Sequence, residues 1–195
     1  MIGFNSDLTT QISLLSDILT YNKPIYKVLK QAENLKMQNY YIAAGCITQT
    51  VFNYQLGKDL MYGISDIDFI YYDNSDLAFE AENAVIEYIS KIVRTELMID
   101  IKNQARVHLW YGEHFGYDIK PYSSVEDAIN HYETTATAIG VRLENNIMKI
   151  YAPLGLNDLF GVIMRANKTQ ITQEIYRKKS EKWKLKWSEL SVIPW

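Results

Sequence analysis

Cysteine, proline and long apolar runs are scarce or missing in this chain of 195 residues. The single cysteine, Cys46, excludes an internal disulfide framework and is typical of a reducing compartment, so we expect a cytoplasmic protein. No run of about 18 apolar residues occurs, and residues 1–7 contain neither a basic nor an apolar signal region, so we expect neither a membrane span nor a signal peptide.

A strong excess of charge of one sign is missing as well. The formal net charge is −3, with 48% hydrophobic and 22% charged residues, which is typical of a soluble globular protein with a sizeable core. This balance argues against a protein that coats nucleic acid over its whole surface, and it leaves local basic patches open. The length predicts a single domain over residues 1–195, with a core at about 38–165 and a basic helical extension at about 166–195.

The C-terminal extension is basic although the chain as a whole is acidic. From residue 165 onward the sequence has eight Lys or Arg against three Glu, a balance of +5. Helical spacing places Tyr176, Trp183, Trp187 and Leu190 on one stripe. We expect this helix to dock its aromatic residues on the domain while its lysines remain in water; a basic patch beside an active cleft, for a nucleotide or an RNA, is the alternative.

Two aspartates, Asp66 and Asp68, open an apolar and aromatic run that extends to Tyr72. This composition predicts a strand covered on both faces. Side chains alternate along a strand, so both carboxylates project to the same side, about 6.6–6.8 Å apart at Cα. Carboxylates this close repel each other unless a cation lies between them, and oxygen ligands favour Mg²⁺ or Mn²⁺. The alternative is two solvated acids at the beginning of a strand.

A glycine turn precedes this pair of aspartates in the sequence. Residues 40–44 predict a buried strand, Gly45 and Cys46 follow it, and a helical stripe of apolar residues begins at Ile47. The first turn of a helix carries unsatisfied N–H groups and a partial positive charge, so this turn can hold phosphate oxygens. The alternative is a plain tight turn that uses the backbone freedom of Gly45.

A third carboxylate, Asp100, lies inside the apolar run at 97–101, which predicts another strand. If this strand lies beside the first, Asp100 joins Asp66 and Asp68 on one face, and three carboxylates can hold two metal ions that clamp a phosphoryl transfer. The alternative is an Asp on an edge strand that faces water. The donors that follow, Lys102 and Arg106, can neutralise phosphate charge.

The remaining pattern predicts helices and one hairpin. Helices are expected at 8–19, after Pro24, over about 75–92, after Ser123-Ser124, and after Gly155 in a stripe that includes Ile163 and Met164. The hairpin is expected to join 135–143 to 147–151.

Together these features resemble the polymerase-β-type nucleotidyltransferase superfamily. Its pattern is an apolar residue, Gly, then Gly or Ser, followed by Asp-apolar-Asp-apolar, which maps onto residues 44–46 and 66–69. More specifically, the runs 65–71, 100–110, 133–143 and 152–160 resemble a family of small bacterial proteins known as nucleotidyltransferase-like, with an unknown substrate. Two departures are that Cys46 stands where the superfamily has Gly or Ser, and that the gap before the Asp pair is longer than usual.

The resemblance implies an α/β nucleotidyltransferase fold: a short mixed sheet backed by helices, with helical extensions at both ends. It also implies transfer of a nucleoside monophosphate from a nucleoside triphosphate to an unknown hydroxyl acceptor, a small molecule, protein or RNA. In that reaction Asp66 and Asp68 bind Mg²⁺ or Mn²⁺, and Asp100 completes a second metal site and acts as base. The β,γ-phosphates would lie on Gly45 and Cys46, with Lys102 or Arg106 neutralising their charge.

Two other functions are compatible with the same sequence. One is a binding module that keeps the fold and binds nucleotide without turnover, which the Cys46 departure and the longer gap favour. The other is an interaction protein, of the toxin–antitoxin type for example, in which the aromatic stripe of the tail is a partner surface.

Overall fold

The computed structural model describes all residues from Met1 to Trp195. The helices are α1 Leu8–Tyr21, α2 Lys23–Glu33, α3 Gly45–Gln55, α4 Phe79–Ile92, α5 Val107–Phe115, α6 Val125–Asn130, α7 Asn157–Phe160 and α8 Gln173–Lys186. The strands are β1 Tyr40–Ala43, β2 Asp66–Tyr71, β3 Met98–Asn103, β4 Gly140–Glu144, β5 Ile147–Tyr151, β6 Ile163–Met164 and β7 Ser191–Val192. No helix combines the length and apolar character that crossing a membrane requires.

Five strands form one mixed sheet in the order β3-β2-β1-β4-β5. The β2–β3 pair is parallel, and the other neighbours are antiparallel. α4 provides the crossover that a parallel pair needs between β2 and β3. The predicted fold class, a short mixed sheet backed by helices, is therefore confirmed.

The two faces of this sheet are covered unequally. Ile67, Phe69 and Tyr71 of β2 point into the main core, which α1, α2, α3 and the C-terminal segment complete. Ile70 points to the opposite face, into a smaller cluster with residues of α6 such as Val125. Because side chains alternate along β2, its two aspartates lie on this less covered face.

Local signals fix several of the helix ends. Asp7 accepts a hydrogen bond from the Thr10 N–H at the beginning of α1, and Asn22 caps α2, which has Pro24 in its first turn. Ser124 caps α6 in the same way. The helices predicted from apolar spacing at these places are confirmed, and α4 begins at Phe79, a few residues after the predicted position.

The C-terminal segment is part of the main core. Tyr176, Trp183, Trp187 and Leu190 are all buried, and the indole N–H of Trp187 donates to Asn53 Oδ1 at 2.8 Å. The prediction that the tail docks its aromatic stripe on the domain is confirmed. The alternative that this stripe is a partner surface is wrong, because these side chains are buried within the domain.

Three local predictions differ from the structure. Ile163 and Met164 do not extend the helix after Gly155 but form β6, which pairs with β7 near the end of the chain. Strand β4 begins at Gly140 and not at Thr135, because residues 134–138 form hydrogen-bonded turns. Helix α5 was not predicted, since its aromatic residues give no clear apolar stripe.

Candidate active site

The three candidate carboxylates lie where β2 and β3 run side by side. The parallel register places Asp68 directly beside Asp100, and Asp66 lies two residues earlier on β2. Ile67, between the two β2 aspartates, is fully buried on the opposite face. The structure therefore brings Asp66, Asp68 and Asp100 onto one face of the sheet, which the sequence predicted for neighbouring strands.

The charges around Asp68 are not balanced. Burial, followed by the negative charges of Asp66 and Asp100, raises the pKa of Asp68 to about 6, although the positive charges of Lys179 and Lys102 act in the opposite direction. The result is a carboxylate that gives up its proton reluctantly, because no cation sits close enough to offset burial and repulsion. This excess of negative charge is the main electrostatic feature of the site.

Two of the carboxylates already have partners within the protein. Asp66 Oδ1 accepts a hydrogen bond from Ser65 Oγ at 2.6 Å, and Asp100 forms an ion pair with Lys102. In this arrangement no three His, Cys, Asp or Glu side chains converge closely enough to hold a metal ion. The donor chemistry nevertheless fits a hard divalent cation, because the donors are oxygens and the raised pKa of Asp68 marks charge that a cation would neutralise.

The beginning of α3 opens beside these carboxylates. Ala43, the last residue of β1, pairs with Asp68 across the sheet, and Gly45 begins the helix immediately afterwards. No side chain caps this helix, so its first N–H groups lack a side-chain partner. An anion bound here would lie next to the carboxylates of β2.

The turn into α3 is made by an alanine in a conformation that suits glycine. Ala44 has φ 53° and ψ −120°, a backbone conformation that any residue with a Cβ atom adopts only with strain. Its N–H donates to the Ile139 carbonyl at 3.0 Å, which holds the turn in place. The strained residue is thus the one that directs the N-terminus of α3 toward the site.

This strain leads to a prediction about stability. Ala44→Gly is expected to raise the free energy of unfolding by about 1 kcal/mol, because glycine adopts this backbone conformation without a clash. Urea unfolding monitored by circular dichroism measures the change. Ala43→Gly is the matched control: Ala43 lies in extended strand, so the same substitution there should destabilise the protein. Equal destabilisation by both variants would show that the Ala44 backbone is not strained.

The side chain of Cys46 does not face the candidate site. It is 1% exposed, its thiol donates to the Ala43 carbonyl at 3.5 Å, and burial raises its pKa well above the usual range. A phosphate contact from Cys46 can therefore come from its backbone N–H and not from the thiol.

Of the two predicted cations, the structure brings only Lys102 to the carboxylates. Arg106 forms an ion pair with Glu82 of α4, donates from Nε to the Leu77 carbonyl at 2.9 Å, and lies over the ring of Phe79. Burial raises the pKa of Tyr71, which faces the main core on the other side of the sheet, and the positive charge of Arg106 offsets part of this rise. Arg106 is thus engaged elsewhere, which corrects its predicted place beside the phosphates.

A cavity of about 300 Å³ lies on the same face, beside Asp68. Lys102 and Asp68 form its rim on the strand side, and α5 and the segment after α6 supply its aromatic walls. Tyr132 is one of these walls, and burial followed by the charge of Asp68 raises its pKa well above the usual range. Its hydroxyl therefore stays protonated and can donate a hydrogen bond.

Among the cavity residues that sequence analysis did not single out are Tyr132 and Lys179. Lys179 of α8 lines the cavity and forms an ion pair with Glu133. Its positive charge offsets part of the rise in the pKa of Asp68. The only signal for it was the excess of lysines in the tail, and helical spacing does not show which of them faces the sheet. Lys179 is the one lysine of the tail that lines the cavity.

Comparisons with known proteins agree with this architecture. A family model described as Nucleotidyltransferase matches residues 30–192. A solution structure described as revealing a CCA-adding enzyme head domain superposes with a TM-score of 0.74 and 21% identity, covering 93% of this chain and 95% of that one. The apo form of a CCA-adding enzyme superposes with a TM-score of 0.51 and 15% identity, covering 92% of this chain and 42% of that one.

These structural likenesses, at such low identities, show the fold alone, and the chain spans less than half of the apo CCA-adding enzyme. No curated protein matches the chain. The family model, by contrast, extends over nearly the whole sequence. The chain belongs to the nucleotidyltransferase family.

Proposed function

We propose that the protein is a metal-dependent enzyme that transfers a nucleoside monophosphate from a nucleoside triphosphate to a hydroxyl group of an acceptor. The observation that supports this most strongly is the placement of Asp66, Asp68 and Asp100 on one face, beside the uncapped N-terminus of α3. Carboxylates and free N–H groups side by side suit a ligand that carries both phosphates and a metal ion.

The residues at the beginning of α3 would bind the phosphates. The N–H groups of Gly45 and Cys46 point out of the first helical turn, where the helix dipole favours an anion. Lys102 and Lys179 lie at the same cavity and would offset the charge of the phosphate chain. Binding of the phosphates by Lys102 would also release Asp100 from its ion pair.

Asp66 and Asp68 would hold the divalent cation that accompanies the nucleotide, Mg²⁺ or Mn²⁺, and Asp100 would complete a second metal site on the acceptor side. When bound, such an ion supplies charge neutralisation at the phosphates and lowers the pKa of a coordinated hydroxyl. Asp66 and Asp100 would turn from their present partners toward these ions. Asp68 stays fixed by the strand and by the packing around it.

The chemical step is a displacement at the α-phosphorus. The acceptor oxygen forms a bond to phosphorus, the bond from phosphorus to the oxygen that bridges to the β-phosphate breaks, and pyrophosphate leaves with that electron pair. Asp100 would accept the proton of the acceptor hydroxyl, because it lies beside Asp68 at the reacting phosphate and is part exposed. The cavity walls would keep water away from the reacting atoms.

A second candidate function is a module that binds nucleotide without turnover. The ion pair between Lys102 and Asp100 favours it, because a carboxylate that remains paired is a poorer base. The two functions differ in whether Asp100 is needed for transfer or only for charge balance.

Binding of nucleotide is tested by a pair of variants in the first turn of α3. Gly45→Val is expected to weaken binding of nucleoside triphosphate by roughly tenfold or more, because a branched side chain blocks the approach of a phosphate to the backbone. A Cβ at Gly45 meets only the end of the flexible Gln49 side chain, at 3.3 Å, so the fold should survive. Calorimetric titration with Mg²⁺ and each triphosphate measures the change.

Cys46→Ser is the matched control in the same helical turn. The buried thiol does not face the site, so this variant should keep wild-type affinity for nucleotide. Loss of binding in Cys46→Ser with normal binding in Gly45→Val would overturn the assignment of this turn. Mass spectrometry of cell extract incubated with protein, Mg²⁺ and labelled nucleotides would then identify the acceptor.

Two broader expectations also remain proposals. The main core includes residues from Leu15 near the beginning to Leu190 near the end, which supports one domain over residues 1–195. The single cysteine, which is free and buried, supports a cytoplasmic location.

A further inference from the structure

The cavity beside Asp68 has aromatic walls on two sides. Trp110, Tyr111 and Phe115 come from α5, and Tyr122 and Tyr132 come from the segments on either side of α6. The volume of about 300 Å³ corresponds to a pocket for a small molecule or one unit of a larger one. Flat aromatic side chains in the walls favour a ligand that is itself flat, because such a ligand can stack on them.

Several hydrogen-bond donors in these walls are already in use. Gln170 Nε2 donates to the Tyr122 hydroxyl at 2.8 Å, and the hydroxyls of Tyr111 and Tyr117 bond to each other at 3.1 Å. Lys179 at the rim is paired with Glu133. A ligand in the cavity then meets acceptors as well as the O–H of Tyr122, which accepts from Gln170 and keeps its own proton.

His131 is one of the free acceptors, because its tautomer is fixed by a carbonyl. Its Nδ1 lies 2.8 Å from the Asp127 carbonyl oxygen, which can only accept, so in the neutral ring Nδ1 carries the proton and Nε2 presents a lone pair. The imidazole lines the cavity, and its ring packs against Tyr122 in a tilted arrangement with the ring centroids 5.4 Å apart. The neighbouring Tyr132 hydroxyl stays protonated and adds a donor to the cavity.

We propose that this cavity binds a planar aromatic or heteroaromatic ring that carries N–H or O–H donors, and that it holds this ring while the attached group reaches the carboxylates. The proposal rests on the proposed function, since it assigns the ring to one of the two substrates. The ring is the nucleobase of the donor nucleotide or the ring of a small acceptor. Both share the chemistry that the walls recognise, a flat face and a donor at the edge.

The test uses ligands without phosphate, so that the carboxylates and the metal play no part. The full chain, labelled with ¹⁵N, is titrated with the four ribonucleosides, with benzyl alcohol, and with cyclohexylmethanol as the non-aromatic match for benzyl alcohol. The indole N–H signal of Trp110, assigned from the Trp110→Ala variant, reports on the cavity. The other indoles belong to residues 183, 187 and 195, outside the cavity lining.

Ring binding should shift the Trp110 signal at millimolar ligand. Tyr132→Phe is expected to lower the affinity for the ring about fivefold, because one hydrogen bond is lost. The control, Tyr88→Phe on the exposed side of α4, should leave the affinity unchanged. Trp110→Ala should weaken binding, followed on other cavity signals, by about tenfold or more through the loss of stacking. Binding of nucleosides alone assigns the cavity to the donor base, and binding of benzyl alcohol alone assigns it to the acceptor.

The proposal is overturned if neither class shifts the Trp110 signal, or if cyclohexylmethanol binds as well as benzyl alcohol. These results are distinct from a failure of the proposed function. If rings bind but nucleoside triphosphate with Mg²⁺ does not, the enzyme assignment fails and the ring pocket stands. If triphosphate binds and rings do not, the reverse holds.

Discussion

Replacing Asp68 with Asn is expected to stabilise the metal-free protein near pH 7.5 and to abolish its response to metal. The pKa of Asp68 is raised from 3.8 to about 6 in the folded protein. A carboxyl with a raised pKa costs stability as its proton leaves, so this cost begins as pH rises through about 4 and is complete above about 6. Asn keeps the shape without the charge and should recover about 3 kcal/mol near pH 7.5, but only a small part of this at pH 4.

Thermal unfolding at several pH values measures this difference. For a chain of this size the gain corresponds to a rise in Tm of roughly 6–12 °C. Asp17→Asn is the matched control, since Asp17 lies on the exposed face of α1 and should show no gain at either pH. Equal stability of wild type and Asp68→Asn at pH 7.5 would contradict the inference that burial and repulsion destabilise the ionised Asp68 carboxylate.

Adding a metal ion to the same experiment should stabilise the wild type and not the Asp68→Asn variant. Millimolar Mg²⁺ or Mn²⁺ should raise the Tm of the wild type, because an ion that binds only the folded state stabilises it. The rise should grow as pH passes 6, where Asp68 loses its proton and becomes a ligand. Asp68→Asn should show no rise, and an equal rise in both proteins would place the metal elsewhere.

The sequence predicted the carboxylate face because that prediction needs only short-range geometry. Alternation along one strand places Asp66 and Asp68 together, and a helix of ordinary length between two apolar runs makes a parallel pair with Asp100 a reasonable expectation. Arg106 could not be placed this way. Its direction depends on a turn after β3 that carries it across the edge of the sheet to Glu82.

The cavity was not predictable, because its walls come from distant parts of the chain. Trp110 lies in α5, Tyr132 follows α6 and Lys179 lies in α8, and no local pattern records that these segments meet over one face of the sheet. The short strand β6 was missed for the same reason. Ile163 and Met164 fit a helical stripe, and their pairing with β7 is decided by residues nearly thirty positions later.

Replacing Asp100 with Asn is expected to lower transfer of the nucleoside monophosphate by about 10²-fold or more, with little change in nucleotide affinity. In the proposed reaction the nucleotide and its metal ion are held largely by Asp66 and Asp68, whereas Asp100 acts on the acceptor. The folded protein should tolerate the change. Asp100 and Lys102 are 38% and 40% exposed, and an ion pair that accessible contributes about 0–1 kcal/mol.

The measurement pairs affinity for nucleotide, by titration, with transfer to the acceptor found in the extract screen. Lys102→Met is the companion variant, because it frees the same carboxylate from its ion pair but removes a cation from the phosphates. An enzyme should then show the two effects separately: Asp100→Asn lowers transfer, and Lys102→Met mainly lowers affinity. A binding module has no transfer to lose, and a merely structural Asp100 would lose stability in both variants. Unchanged transfer in a stably folded Asp100→Asn protein would remove Asp100 from the active site.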